Sequence, residues 1–433
     1  MKFSKHLIAV ATAAAILAPT TASATAGYFS IAYGAKSRGI AGAATALSQD
    51  TYAAAVNPAG MAKAVGTNDV GVMVFSPIRQ ASTPATGNVD LESGQNGFII
   101  PSGGFVRQLN DKMTWGMSIY ANGGLNSNYD DADNGGVNPY GYPDRLGVDL
   151  AQLIFAPTIT YELNKNHTVG ASLLVGYQQF KAFGLQGFCG LKGGMCIPGS
   201  DAGNEGLTNQ GYDSAWGTGL RVGWQGKLSD NVSVGAAYST KIYMQEFDKY
   251  DQLFAEDGDF DIPANWSIGI AAKVSPKLTV SADIQQILYG DVKSIANTGP
   301  STVSANPFNE GQGFLGADNG LGFGWDDVTV FKIGATYEHN ANFTYRFGYS
   351  HNSAAFDDDQ SAFNVLAPAT IRDHVTAGFT YRPNGKDNQQ VTFTFMHALE
   401  NSQSGPFPPA FGGGQTRVEM YQNAFDFQYS WTY

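Results

Sequence analysis

The chain ends in FDFQYSWTY (Phe425–Tyr433), where aromatic and polar residues alternate without a break. Successive side chains of a β-strand point to opposite faces, so this stretch would form a strand with one aromatic and one polar face. A soluble sheet can bury such a face. Ending on an aromatic residue, however, is typical of outer-membrane barrels, whose aromatic girdles lie at the membrane interfaces. We therefore predict a strand with an aromatic face toward lipid and a polar face toward a lumen.

The same period of two recurs through most of the chain. From Asp69 onward we count 14 strand-like segments, and their charges fall mostly on the polar face, as a lumen requires and lipid forbids. Clear examples are Met113–Tyr120, Phe343–Ser350, Val375–Arg382 and Val391–Phe395. The pattern predicts an all-β protein built from membrane-spanning strands.

The connections between these segments alternate strictly in length. Seven long, polar connections are separated by six short turns at residues 110–111, 164–166, 229–230, 275–276, 339–341 and 384–387. A closed barrel with periplasmic turns at one end and external loops at the other produces this alternation, whereas a Greek-key sandwich does not. The predicted fold is therefore a transmembrane antiparallel β-barrel of 14 strands.

Composition narrows the range of partners. The formal net charge is −12, which disfavours nucleic acid as a partner. The acidic stretches Asp130–Asp133 and Asp357–Asp359 contain ligands that suit a hard cation such as Ca²⁺, but they lack the spacing of an EF-hand. We interpret them as solvated loop surface and predict neither a metal nor a cofactor.

Three regions follow from the pattern along the chain. Residues 1–26 are predicted to be a signal peptide, with a basic start, an apolar run (Leu7–Ala18) and small residues for cleavage. That run of 12 residues is shorter than the ~20 residues that span a bilayer. Residues 27–68 are predicted to be an N-terminal plug, and residues 69–433 the barrel. In an exported protein, Cys189 and Cys196 are expected to form a local disulfide.

The plug region is rich in alanine and glycine and does not alternate. Ile40–Val56 predicts one or two short helices, starting near Ser37 or Ser48. The run Gly39–Ala46, followed by Asp50 and by Asn57-Pro58-Ala59-Gly60, resembles the N-terminal hatch of the FadL/TodX family. These proteins transport long-chain fatty acids and aromatic hydrocarbons across the bacterial outer membrane. Three barrel segments are also similar to this family: Leu150–Gly176, Ile262–Asp291 and Ala367–Leu399.

The resemblance implies a 14-stranded barrel with a mainly helical hatch inside its lumen. It also implies that substrate is collected at a groove between external loops, that the hatch shifts, and that substrate leaves sideways through a gap beside a kinked third strand. Asn57, Pro58 and Ala59 match the gating motif of the hatch. The predicted third strand runs into Asn122, Gly123 and Gly124, which are kink candidates, although these glycines could equally just open the following loop.

A fatty acid needs an apolar tunnel and a cation for its carboxylate. Burying about 15 methylenes offers roughly 12 kcal/mol as an upper bound, so the tail would dominate affinity and the cation would orient the head group. The candidates for this cation are Lys181, Arg221, Lys332, Arg346 and Arg372. Each could instead be a lumen charge paired with an acid such as Glu338 or Asp373. The alternation of side chains along its strand places Lys181 on the outward face, unless the strand contains a bulge.

Apolar loop residues are candidates for the external groove: Phe183, Leu185, Phe188, Leu253 and Phe254. Simple loop packing is the alternative interpretation. No GxSxG elbow or Ser–His–acid spacing points to catalysis, so we predict that the protein is not an enzyme.

The predicted function is passive uptake of hydrophobic compounds, with long-chain fatty acids as the first choice of substrate. The alternatives are uptake of aromatic hydrocarbons, or a role as an adhesin or structural barrel. The expected partners are a fatty acid or another hydrophobic small molecule and outer-membrane lipid, and the protein is expected to be a monomer.

Overall fold

Fourteen long antiparallel strands make up most of the computed structural model, which describes residues 26–130, 136–193, 203–385 and 388–432. The strands, labelled β1 to β14, are Thr67–Ser82, Phe98–Asn110, Met113–Tyr129, Leu146–Asn164, His167–Phe183, Asp213–Lys227, Val232–Ser239, Asn265–Ser275, Leu278–Ile287, Val328–Glu338, Phe343–Asn352, Asp373–Tyr381, Gln389–Pro406 and Gln415–Thr432. Two further strands are two residues long: Leu91–Glu92 pairs with β1, and Tyr243–Met244 pairs with β6.

The sheet closes on itself. Each long strand pairs with its neighbours in sequence, and β14 returns to β1 with a register that runs from Thr67 opposite Thr432 to Ser82 opposite Arg417. Closure gives the first and last strands partners, so neither leaves an open edge to lipid. The prediction of a closed 14-stranded antiparallel barrel is confirmed.

The last strand shows how the sequence pattern becomes two faces. Phe425, Phe427 and Tyr429 are 40%, 46% and 40% exposed, whereas Asp426 and Gln428 between them are buried. The aromatic face therefore points outward and the polar face points into the lumen, as the alternation predicts.

Connection lengths also follow the predicted alternation. The turn between β2 and β3 contains only Asp111 and Lys112, whereas the connection between β9 and β10 spans residues 288–327. The long connections carry short helices at Pro84–Thr86, Gln186–Lys192, Asp248–Tyr250, Ala255–Gly258, Tyr289–Asp291, Lys293–Ala296, Asp358–Gln360, Phe363–Val365 and Pro409–Phe411, and Pro383–Gly385 lies in the turn after β12. No helix in the described ranges is long and apolar enough to cross a membrane.

Residues 26–66 precede β1 and lie inside the barrel; we call them the hatch. They contain the α-helix Ala35–Arg38 and two 3₁₀-helices, Thr51–Ala55 and Pro58–Lys63. Short helices therefore begin close to Ser37 and Ser48, as expected, but the first of them precedes the predicted stretch Ile40–Val56. Asp50 caps the first 3₁₀-helix, and its carboxylate accepts from Tyr52 N at 3.1 Å. The hatch has no core of its own, so contacts with the barrel wall override the helix propensity of its alanines.

Glycines in the wall make room for this hatch. A Cβ on Gly170 of β5 would collide with the backbone of Pro58 and Ala59, and one on Gly223 of β6 with the side chain of Asn57. Further wall glycines meet the hatch in the same way, at Gly104, Gly116, Gly235, Gly334 and Gly348. The hatch therefore packs directly against strand backbone around much of the lumen.

Candidate functional site

The ladder between β2 and β3 is incomplete. It runs from Asn110 opposite Met113 to Gly103 opposite Ile119, and it stops there. Phe98–Ser102 of β2 pair with β1, and residues 120–129 of β3 pair with β4; in the described ranges no ladder joins these two stretches. We call the unpaired boundary between Phe98–Ser102 and Tyr120–Leu125 the seam.

A β-bulge lies on the seam. The register of β3 against β4 shifts between Ala121 and Gly123, which leaves Asn122 without an opposite residue. A bulge bends its strand locally and re-aims the residues that follow it. The bulge lies within Asn122–Gly124, the residues named as kink candidates, and β3 continues past it to Tyr129.

The N-terminal end of the hatch binds this bulge from inside. Phe29 forms a β-bridge with Gly123, Ser30 N donates to Asn122 O at 3.0 Å, and Gly124 N donates to Tyr28 O at 3.2 Å. A side chain on Gly123 would collide with Tyr28 O, so only glycine permits this close approach. Bulge and hatch thus form a single hydrogen-bonded unit.

The motif Asn57-Pro58-Ala59 joins three parts of the molecule. Asn57 Oδ1 accepts from Ala59 N at 3.2 Å and caps the helix that begins at Pro58. Its Nδ2 donates to Thr45 O within the hatch and to Trp224 O on β6, both at 2.9 Å. Ala59 is fully buried. The motif therefore fixes one hatch helix to another hatch segment and to the wall.

Three of the predicted carboxylate-binding cations hold the hatch. Arg221 donates to Ala54 O at 3.0 Å and Ala55 O at 2.6 Å. Lys332 donates to Ile31 O at 2.8 Å. Arg346 donates from Nε to the Gln49 side chain at 2.8 Å. These cations face the lumen as the parity of their strands predicts, and in this structure they bind hatch oxygens.

The other two candidates lie elsewhere. Lys181 is on the outward face of β5, because its neighbour Phe180 is buried and points inward, and its strand has no bulge at this position. Its ammonium lies 4.0 Å from the carboxylate of Asp149, with which it pairs on the same face. A lumen role for Lys181 is therefore not supported. Arg372 is half-buried and immediately precedes β12.

Three charged residues of the hatch were not among the predicted site residues. Arg38 Nε lies 3.1 Å from Asp426 Oδ2 of β14, with both side chains buried. Asp50 accepts from Gln428 Nε2 at 3.1 Å, and burial together with the nearby Asp69 carboxylate raises the pKa of Asp50 to about 6. Burial also lowers the pKa of Lys36. Each of these residues lies in the Ala/Gly-rich stretch, where alternation offers no signal of direction.

The predicted groove residues are mostly buried. Leu185, Phe188 and Phe254 have at most 3% of their surface exposed, and Leu253 is partly buried and packs against the same core. Phe183 lies on the outward face, with the Arg145 guanidinium 5.0 Å from its ring centroid. These residues do not line an open groove in this structure, because four of the five pack in the apolar core.

Buried rings continue from these connections to the hatch. The ring centroids of Phe254 and Phe260 are 4.8 Å apart, and Phe260 lies 6.1 Å from Tyr28. Tyr289 also contacts Tyr28, and its hydroxyl donates to Ala26 O at 2.7 Å. An apolar, aromatic interior therefore ends at the hatch residues that bind the bulge.

The remaining expectations concern cysteines and metals. Cys189 is buried, but Cys196 lies outside the described residues, so the disulfide between them stays a prediction. In the part of the chain that the structure describes, no group of three or more His, Cys, Asp or Glu side chains is placed to hold a metal ion.

Comparison with known proteins settles the family. The family model described as "Outer membrane protein transport protein (OMPP1/FadL/TodX)" matches residues 15–409. The chain belongs to this family. A relative named "Long-chain fatty acid transport protein" from Escherichia coli (strain K12) is 21% identical over 347 residues, which cover 71% of this chain and 73% of that protein. The FadL/TodX resemblance and the predicted outer-membrane location are thereby confirmed.

Solved structures of the FadL/TodX family share the fold. The toluene transporter TodX of Pseudomonas putida superposes with a TM-score of 0.69 at 20% identity, over 93% of this chain and 99% of TodX. A FadL homologue of Pseudomonas aeruginosa gives a TM-score of 0.68 at 16% identity, over 94% of this chain and the whole of that one. At these identities the likeness shows the architecture and leaves the substrate open.

Proposed function

We propose that this FadL/TodX-family protein takes up long-chain fatty acids passively and releases them sideways into the membrane through the seam. The observation that carries the proposal is the seam itself. The wall lacks a ladder between Phe98–Ser102 and Tyr120–Leu125, and Tyr28–Ser30 of the hatch bind the bulge at that place. A hatch movement that releases the bulge would therefore uncover an opening in the wall.

The interior supplies an apolar route to this opening. The buried rings of Phe254, Phe260 and Tyr28 connect the external loops with the N-terminal end of the hatch. An acyl chain that moved along them would stay out of water, and each buried methylene contributes about 0.8 kcal/mol. Lateral release needs no energy source, because the chain passes from one apolar environment to another.

Uptake of aromatic hydrocarbons is the second candidate. The observation that favours it is the high share of aromatic side chains along the same route, where ring pairs such as Tyr28–Tyr289 and Phe180–Phe254 meet at 5.3 Å and 4.7 Å. Rings pack well on other rings in tilted and edge-to-face geometry, so a small aromatic compound would also bind there.

A reversible tether of the hatch tests the proposed route. Thr45 Oγ1 of the hatch lies 3.0 Å from Ser267 Oγ of β8, close enough for a disulfide in the variant T45C/S267C. We expect oxidised cells to lose uptake of labelled oleate and reduced cells to regain it. The control T380C/T392C places a similar disulfide between two wall strands, where the hydroxyls are 2.8 Å apart, and should leave uptake intact.

Two controls complete the test. Oleate uptake by the unmodified protein, oxidised and reduced in the same way, shows any effect of the native Cys189 and Cys196. Labelled toluene, offered to the same cells, separates the two substrate classes. Full oleate uptake with the T45C/S267C disulfide formed would contradict hatch movement. Uptake of toluene but not of oleate would show that the substrates are aromatic hydrocarbons and not fatty acids.

A further inference from the structure

The loop end of the seam is closed by the connection between β1 and β2. Ser93 N donates to Arg79 O on β1, Gly94 N donates to Asn128 O on β3, both at 2.8 Å, and Asn128 N donates to the Ser93 hydroxyl at 3.0 Å. Residues 93–94 therefore join β1 to β3 across the end of the seam. The side chain of Arg79 lies at this junction and is 1% exposed.

Among the described residues, the guanidinium of Arg79 binds only neutral oxygens. Its Nη1 donates to Asn126 O at 2.6 Å and to the Asn126 amide oxygen at 3.0 Å. Its Nη2 donates to Gln95 O and, at 3.3 Å, to the Asn96 side chain. The Phe98 ring lies beneath it, with its centroid 5.8 Å from the guanidinium carbon. These contacts orient the cation without neutralising it.

The charge of Arg79 has no direct ion-pair partner in its buried position, within the part of the chain that the structure describes. None of the ion pairs in the described ranges includes this residue. The carboxylates of Glu92 and Asp149 act on it only through space, since Glu92 accepts from Asn96 at 2.7 Å and Asp149 accepts from the hydroxyl of Tyr212 at 2.7 Å. Buried charges in proteins are normally paired or bind an ion, so an unpaired one points to an anionic ligand.

Unused donors are present at the same place. Arg79 Nε and the hydroxyl of Tyr129 are both buried and have no hydrogen-bond partner among the residues that the structure describes. Tyr129 is fully buried on the inward face of β3, three residues after Asn126, whose backbone and side-chain oxygens accept from Arg79. An N–H and an O–H donor beside a positive charge match the two oxygens of a carboxylate.

We propose that Arg79 and Tyr129 bind the carboxylate of a long-chain fatty acid at the loop end of the seam, and that they make the channel select acids over uncharged compounds of the same length. The apolar side chains of Phe98 and Leu125 border the same junction and would contact the first methylenes. This proposal rests on the proposed uptake function and gives it a head-group site that the pattern of lumen cations does not reveal.

Binding of two ligands that differ only in charge tests the site. Oleate and its methyl ester would be titrated against purified protein in detergent at pH 8, with the variants R79M, R79K and Y129F. We expect R79M to weaken oleate binding by about 10-fold or more and to change binding of the ester by less than about twofold. R79K should keep part of the oleate affinity. Y129F should lower the affinity for oleate a few-fold and leave the affinity for the ester unchanged.

The control variant is R107M. Arg107 also binds neutral oxygens and lies 5.2 Å over a ring, that of Phe105, but it is at the opposite end of β2. R107M should bind both ligands like the unmodified protein. The temperature-dependent gel migration of folded barrels would establish that each variant folds; if R79M does not, R79K and Y129F decide the question.

The outcomes separate this proposal from the one on which it rests. Equal losses for oleate and ester in R79M, or no loss for either, would overturn the carboxylate site while the unmodified protein still binds oleate. An unmodified protein that binds the ester and toluene but shows no preference for oleate would also overturn it. Absence of binding to all three ligands would overturn the uptake function, and the site with it.

Discussion

Arg38 of the hatch and Asp426 of β14 form an ion pair at 3.1 Å in which the side chains are only 4% and 5% exposed. The pair connects two parts of the chain that are nearly 400 residues apart in sequence. The Arg38 guanidinium also donates to Ala32 O at 2.8 Å. A buried charge therefore fixes the hatch to the strand that closes the barrel.

Replacing Asp426 by Asn should loosen the hatch without opening the barrel. The substitution leaves Arg38 as a buried charge without its counter-ion, which costs roughly 3–5 kcal/mol. We expect amide hydrogen exchange in residues 26–66 to become at least about 100-fold faster, and exchange in the barrel strands to stay unchanged.

The exposed pair between His351 and Asp373 provides the control. Its nitrogen and oxygen are 2.8 Å apart, but the side chains are 46% and 31% exposed, and exposed pairs contribute little. In D373N, the amide hydrogens of the hatch should exchange at the same rate as in the unmodified protein. Similar exchange rates in D426N and D373N would show that the buried pair does not hold the hatch.

Hatch docking should depend on pH through Asp50. Its pKa of about 6 in the lumen lies above the ordinary value of 3.8, so the protonated form favours the docked hatch. The stabilisation is complete below about 3.8 and is lost as the pH rises through about 6. The charged neighbours are Asp69, Lys36 and Arg346, and Gln428 donates to the carboxylates of both Asp50 and Asp69.

Hydrogen exchange of the hatch at pH 4.5 and pH 7.5, corrected for the intrinsic exchange rate, measures this dependence. We expect stronger protection at pH 4.5 in the unmodified protein. D50N should remove most of the difference, because an amide does not titrate in this range. Equal protection of the unmodified hatch at both pH values would rule out this role of Asp50.

An alanine at a wall glycine should displace the hatch. In G223A the new Cβ would meet the side chain of Asn57 and the ring of Pro58, and relieving such an overlap costs about 1–3 kcal/mol. Limited proteolysis should then cut the hatch faster while the barrel stays resistant. G97A is the matched control, because no atom lies within 4 Å of a Cβ at Gly97. Comparable cleavage in the two variants would argue that the hatch does not pack closely against the wall at Gly223.

Much of the barrel can be predicted from sequence because lipid and lumen act on alternate residues. Strand number, connection lengths and the facing of Arg221, Lys332 and Arg346 all follow from that period of two. Parity also places Lys181 on the outward face, where it lies. Such predictions depend only on neighbours in sequence.

The site depends on contacts between distant segments, and these have no such signal. The turn chemistry of Asn122–Gly124 is equally consistent with an opening loop, and the contacts of Tyr28 and Ser30 make it a bulge within a longer strand. The lumen cations bind hatch carbonyls that are more than 150 residues away in sequence. The role proposed for Arg79 follows only from its contacts with Asn126 on β3, which lies 47 residues away in sequence.

The predicted disulfide has a direct test. Cys189 and Cys196 are close in sequence and the chain is expected to be exported, so the purified protein should contain no free thiol. Thiol titration under denaturing conditions, without reductant, should therefore give no signal. Two free thiols per chain would contradict the bond. Reduction should change proteolysis of the connection between β5 and β6 and leave the barrel intact.

The hatch motif should be needed for uptake but not for assembly. In N57A/P58A the helix loses its cap, which costs about 1 kcal/mol, and the amide that links Thr45 O to Trp224 O is gone. We expect uptake of labelled oleate to fall while the barrel still folds and reaches the membrane. T83A/P84A removes the N-cap residue and the first proline of the helix Pro84–Thr86, together with the Thr83 hydroxyl that donates to Pro139 O, and should transport normally. Because both variants change the start of a 3₁₀-helix and only N57A/P58A loses a link between the hatch and the wall, full uptake in N57A/P58A would mean that this link plays no part in gating.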